Sequence, residues 1–140
     1  MRALVDTSIL IDSIRGKRTD HVVKFERLID SNGVILGDLV LCEFLRGFDN
    51  EREAKRVYDT MTGFDIVNVC GSLVAIEAAR NYRVLRALGI TVRKTIDLIV
   101  GTYCIHHSLP LLPVLLISLP WQWHPVSFRV SPGILPSGKR

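Results

Sequence analysis

Four short, largely apolar runs recur along this chain: "RALVD" (2–6), "VILG" (34–37), "DIVNV" (65–69) and "LPLL" (109–112). Each is too short for a helix, and stretches with helical periodicity fill the gaps between them. Strands that are apolar on both faces need cover on both faces, and parallel pairing needs a long crossover between consecutive strands. The alternation therefore predicts an α/β chain, a three-layer α/β/α sandwich around a central parallel sheet.

Local signals place the helices. Thr7 or Ser8 is positioned to cap a helix through "ILIDSIR" that Gly16 ends. Thr19 or Asp20 starts a second, in which Val22, Val23, Phe25, Leu28 and Ile29 share one face. Asp38 is expected to cap "LVLCEFLRGF", and "NEREAKRVYDTMTG" reads as an amphipathic helix. Ser72 begins a long helix to Leu88, closed by Gly89, and Thr95 caps "IDLIVGTYCIHH". Neither a repeat nor a linker interrupts residues 1–112, which read as one domain.

Composition narrows the function. With 140 residues, 48% of them hydrophobic and 23% charged, the chain can bury one sizeable core. Acids arrive at once in "MRALVDTSILID", so we expect no secretory signal and a cytoplasmic location. Cys42, Cys70 and Cys104 are far apart and form no C-x-x-C pair; they read as small buried apolar residues. The net charge of +4 would suit nucleic acid, but residues 1–112 hold 15 of the 18 Lys+Arg and all 14 Asp+Glu. The excess therefore belongs mostly to the tail. "LPLLPVLLISLPW" is uncharged yet carries three prolines in 13 residues, too short and broken for a membrane span.

Three acids stand where a merely solvated carboxylate would not. Asp6 closes the first strand, at the edge where open parallel sheets bind ligands. Glu43 lies inside "LVLCEFLRGF", which is apolar nearly all round, and Asp97 lies among Ile96, Leu98, Ile99 and Val100. An ionised carboxylate in apolar surroundings needs a compensating cation. Three of them on separate elements can converge into an oxygen-only site that suits Mg²⁺ or Mn²⁺. Plainer accounts exist for two: Asp97 as a partner of the helix dipole, Glu43 as the ion-pair partner of Arg46. Asp6 is hardest to explain that way.

Other features are less specific. Arg80, Arg83 and Arg86 repeat every three residues, with Arg93 and Lys94 close behind, and suit either RNA phosphates or a solvated face. His106 and His107, adjacent at a helix end, read as dipole partners and not as catalytic groups. Leu41, Phe44, Leu45 and Phe48 exceed what one buried face requires, and fit buried core or a partner groove equally.

In order and context, "LVDTSILID", "LCEFLRG" and "TIDLIVGTYCIHHSLPLL" resemble the PIN-domain ribonucleases, in particular the VapC-type toxins of toxin–antitoxin pairs. The likeness runs to Leu112. It implies a PIN-like domain over 1–112 and a metal-dependent endoribonuclease that cleaves RNA through metal-activated water. It implies Asp6, Glu43 and Asp97 as the catalytic metal ligands for Mg²⁺ or Mn²⁺, with Thr7 or Ser8 orienting a ligand or a water. It further implies a cognate VapB-type antitoxin, an RNA substrate and a homodimer.

The pattern breaks after Leu112. In the family an acidic pair followed by phenylalanine completes the metal site; here the chain reads "PVLLISLPWQWHPVSF", and no acid follows Asp97. The residues "PVLLIS" can be encoded so that the same bases, read two positions later, give Ser-Ala-Pro-Asp-Phe. Residues 113–140 thus read as an atypical tail, frameshifted or disordered. The competing function is a catalytically impaired PIN-fold module that binds antitoxin or RNA without cleavage.

Overall fold

The computed structural model describes residues 1–112, and the expectations placed on 113–140 lie outside them. The chain opens with β1 (Ala3–Val5), buried throughout, and turns straight into α1 (Thr7–Ile14). Asp6 itself is the N-cap, not Thr7 or Ser8: its carboxylate accepts the Ser8 N–H at 3.1 Å. Aspartate is among the best residues for that position, because its oxygen satisfies a backbone donor the helix leaves unpaired. Gly16 follows the helix at φ +71°, a conformation that favours glycine.

Thr19 caps α2 (Asp20–Asp30) by accepting the Val22 N–H at 3.2 Å. Val22, Phe25 and Leu28 form its buried stripe, while Val23 and Ile29 fall at the margins. Then come β2 (Val34–Gly37), α3 (Asp38–Leu45), α4 (Glu51–Thr60) and β3 (Asp65–Val67). The described residues end with α5 (Ser72–Ala87), α6 (Thr95–His106) and β4 (Leu111–Leu112). Among the described residues every strand pairing is parallel, in the order β3-β2-β1-β4, and the α/β/α architecture expected from the alternation is the one observed.

Two expected boundaries move for identifiable reasons. β3 stops at Val67, short of Val69, because the Val69 N–H donates to Asp38 Oδ1 at 3.1 Å and not to a neighbouring strand. The same oxygen accepts the Leu39 N–H at 2.9 Å, so Asp38 ties the start of α3 to the end of β3. Gly37, not Asp38, holds the N-cap position of α3. A side chain at Gly37 would meet Val69 Cγ1 at 2.7 Å, so the approach that seats Val69 excludes one.

The main core lies on β1 and β2, with Leu4, Val5, Ile9, Leu36, Val40, Val69 and Val100 sealed from solvent. Burying each such Leu or Ile stabilises the fold by about 1.5–3 kcal/mol. A smaller cluster of Ala78, Leu85 and Leu98 joins α5 to α6. Phe44 belongs to the main core and Leu41, Leu45 and Phe48 pack half-buried against it, which decides that apolar surplus in favour of core. The cysteines divide. Cys104 is buried, and burial pushes its thiol up to about 12, whereas Cys70 is half-buried and Cys42 sits exposed on the outer face of α3, against expectation. Among the described residues no helix is long and apolar enough to cross a membrane.

Candidate metal centre

In a sheet ordered β3-β2-β1-β4, the chain leaves β1 toward β2 on one side and reaches β4 on the other. The crevice at the C-terminal ends of β1 and β4 is therefore the topological switch point, where open parallel sheets bind ligands. Asp6 stands there, directly after Val5, and is 5% exposed. Its Oδ2 accepts both the Ser8 N–H and the Ser8 hydroxyl, the latter at 2.7 Å. One oxygen holds the helix, and the other, Oδ1, accepts no hydrogen bond from the described residues.

Glu43 reaches the same place from the middle of α3, with a side chain only 10% exposed. The Thr7 hydroxyl donates to its Oε2 at 3.2 Å, and Lys94 Nζ lies 4.0 Å from its Oε1. The ion pair thus forms with Lys94 from the start of α6, and not with Arg46 one turn along. Asp97 occupies the first turn of α6, half-buried. Lys94, not Thr95, is the N-cap residue of that helix, and no side chain caps it.

Electrostatics tie the three acids together. Burial, then the negative charge of Asp6, push the Asp97 carboxyl up to about 6; Lys94 opposes this and Glu43 reinforces it. The positive end of α6 favours a carboxylate at that turn, so the dipole role expected of Asp97 coexists with crowding by like charge. Among the described residues, no three His, Cys, Asp or Glu side chains stand close enough to grip one ion directly. Mg²⁺ does not need that, since it commonly takes one or two carboxylates and fills its other positions with water. The donor set is all hard oxygen and carries uncompensated negative charge, and it fits a largely hydrated divalent ion.

His106 and His107 are elsewhere. His106 ends α6, roughly 14 Å of helix rise from Asp97. Its Nδ1 lies 3.3 Å from Glu77 Oε2, and His107 stacks on Tyr103 with ring centroids 4.2 Å apart. Sequence reasoning missed two links: the Lys94–Glu43 pair and the Asn81–Thr102 bridge behind Asp97. The Asn81 amide donates to Thr102 Oγ1 at 3.1 Å, and the Thr102 hydroxyl donates to the Leu98 carbonyl at 2.7 Å. Polar residues inside otherwise buried helical faces were the only signal for that bridge.

A parallel α/β/α domain with a buried carboxylate, Asp6, at its switch point is the class of protein the fold defines. The sequence model of the PIN domain matches residues 3–114. The fold is also similar to two solved structures. One is VapBC2 from Rickettsia felis bound to a DNA fragment from their promoter, at TM-score 0.65 and 16% identity over 79% of this chain and 86% of that one. The other is FitAcB from Neisseria gonorrhoeae, at TM-score 0.62 and 19% identity over 78% and 84%. No curated protein matches the sequence. The chain belongs to the PIN-domain family. PIN domains are generally nucleases, hence hydrolases, and generally depend on a divalent metal.

Proposed function

We propose that this chain is the toxin of a toxin–antitoxin pair, an endoribonuclease that uses a largely hydrated Mg²⁺ or Mn²⁺ held by Asp6, Glu43 and Asp97 through direct and water-mediated contacts. The observation that carries the reading is geometric: Thr7, next to Asp6, donates to Glu43 Oε2 at 3.2 Å, and Lys94, one turn before Asp97, lies 4.0 Å from Glu43 Oε1, which links the elements bearing the three acids. A divalent ion supplies Lewis acidity toward a phosphate oxygen and makes attacking water more acidic. The protein's own part is positioning. Ser8 fixes the rotamer of Asp6, and Thr7 fixes Glu43 by joining α1 to α3. No nucleophilic side chain is required. The likeness to VapBC2 and FitAcB supports a cognate VapB-type antitoxin as partner. Leu73, Ile76 and Leu88, exposed on and just after α5, support a homodimer.

Asp6→Asn provides the test, because asparagine keeps a capping oxygen while removing the charge. Induced expression of the wild type without antitoxin should slow growth, and Asp6→Asn should relieve it. With Mn²⁺, cleavage of RNA by the purified variant should fall at least about a hundredfold. Undiminished growth arrest in Asp6→Asn would contradict the reading.

One observation favours a second reading, a PIN-fold module that binds antitoxin or RNA without cleaving: no acid follows Asp97 in the sequence. A version carrying the other reading frame after Leu112 separates the two. Far higher cleavage in that version than in the 140-residue chain favours the binding module for the chain as it stands. Equal cleavage favours the nuclease.

A further inference from the structure

Lys94 does little for the fold. Its side chain is 64% exposed, its Nζ lies 4.0 Å from Glu43 Oε1, and it gives no side-chain cap to α6. Charge-assisted hydrogen bonds run about 2.7–2.9 Å, so this is a loose pair, and exposed pairs of that kind contribute little stability. Yet among the described residues it is the one cation offsetting charge at both Glu43 and Asp97. An arriving dication would take over that role and repel the ammonium. The freed group, on a flexible four-carbon stem, would then stand at the rim of the metal site as a mobile point charge.

The surroundings indicate what it would meet. Between Glu77 and Asp97 the sequence holds no acid and five cations: Arg80, Arg83, Arg86, Arg93 and Lys94. α5 and α6 pack along each other as an antiparallel pair, with Leu85 near the end of one and Leu98 near the start of the other in a single cluster. That packing brings Arg86, Arg93 and Lys94 to the end of the hairpin that carries Asp97. From Arg2 to Glu77 acids and bases interleave; here one sign dominates and draws a polyanion in from the α5–α6 connection.

Building on the nuclease reading above, we propose that Lys94 is a phosphate anchor for the substrate strand, parked on Glu43 without metal and released to the strand when metal binds. The probes are Mn²⁺ alone, followed by melting temperature, and a fluorescent random-sequence single-stranded RNA pool, checked intact on a gel. In Mn²⁺, Lys94→Met should weaken RNA binding about tenfold. It should also reduce the slope of log affinity against log salt by about 0.7, the signature of one lost phosphate contact on a single strand. Without Mn²⁺ the variant and wild type should bind alike, and Lys94→Arg should restore binding in Mn²⁺. The Mn²⁺-driven rise in melting temperature should be at least as large in Lys94→Met as in wild type. Equal RNA binding by Lys94→Met in Mn²⁺, or loss of its Mn²⁺ response, would overturn the anchor role alone. A wild type that neither responds to Mn²⁺ nor binds RNA would overturn the nuclease reading and this proposal with it.

Discussion

Asp97→Asn should raise the melting temperature of the metal-free protein at about pH 8 and abolish the rise that Mn²⁺ produces in the wild type. The first half follows from linkage. The folded-state pKa of Asp97 is pushed up to about 6, so the folded protein holds that proton more tightly than the unfolded chain does. The carboxylate therefore opposes folding above about pH 6, and the penalty fades as pH falls through that value. The advantage of the variant should shrink in step and vanish below about pH 3, where both states are protonated. The second half follows from the proposed role of the charge as a ligand: the amide relieves the crowding but attracts an ion far less. Thermal melts of both proteins across this pH range, with and without Mn²⁺, measure both halves at once. Equal Mn²⁺ stabilisation of the two proteins would remove Asp97 from the metal centre.

Thr102→Val should cost about 1–3 kcal/mol of stability, because it strands a buried amide. Thr102 is 1% exposed and Asn81 6%, and the hydroxyl that joins them sits between α5 and α6. Valine matches the shape of threonine, so packing survives while the Asn81 amide loses its acceptor. The melting temperature should drop by roughly 4 °C per kcal/mol for a domain of this size. Adding Asn81→Leu should recover part of the loss, since removing both partners costs less than stranding one. If the double variant is no more stable than Thr102→Val, the bridge is not what secures the two helices.

The layer architecture was legible because apolar runs such as "VILG" can satisfy both faces only inside a covered parallel sheet, and β1, β2 and β4 appear where the pattern puts them. The three acids were legible for a related reason, since each interrupts an apolar stretch. The exact caps were not. Asp6, Thr7 and Ser8 all carry capping oxygens, and three consecutive candidates cannot be ranked without the backbone angles at the end of β1. β3 was read too long because a side chain from α3 intercepts the Val69 N–H, a contact between residues 31 apart in sequence. The pairing of Glu43 with Lys94 in place of Arg46 failed in the same way: a neighbour one helical turn along is visible in sequence, a neighbour on another helix is not.

The double duty of Asp6 makes the three acids unequal targets for loss. On the proposed reading, a chance substitution at Asp97 would silence chemistry and relax a crowded charge, so the altered chain would persist as a sturdy, harmless relic. A substitution at Asp6 by a residue without a capping oxygen would on that reading silence chemistry too, but would also fray the first helix where it leaves the central strand. Cells escaping such a toxin by point mutation would therefore accumulate intact inactive protein through one position and degraded protein through the other. The inactive protein that persists can go on occupying whatever restrains the active form, so the position of the lesion shapes its inheritance as much as the lost activity does.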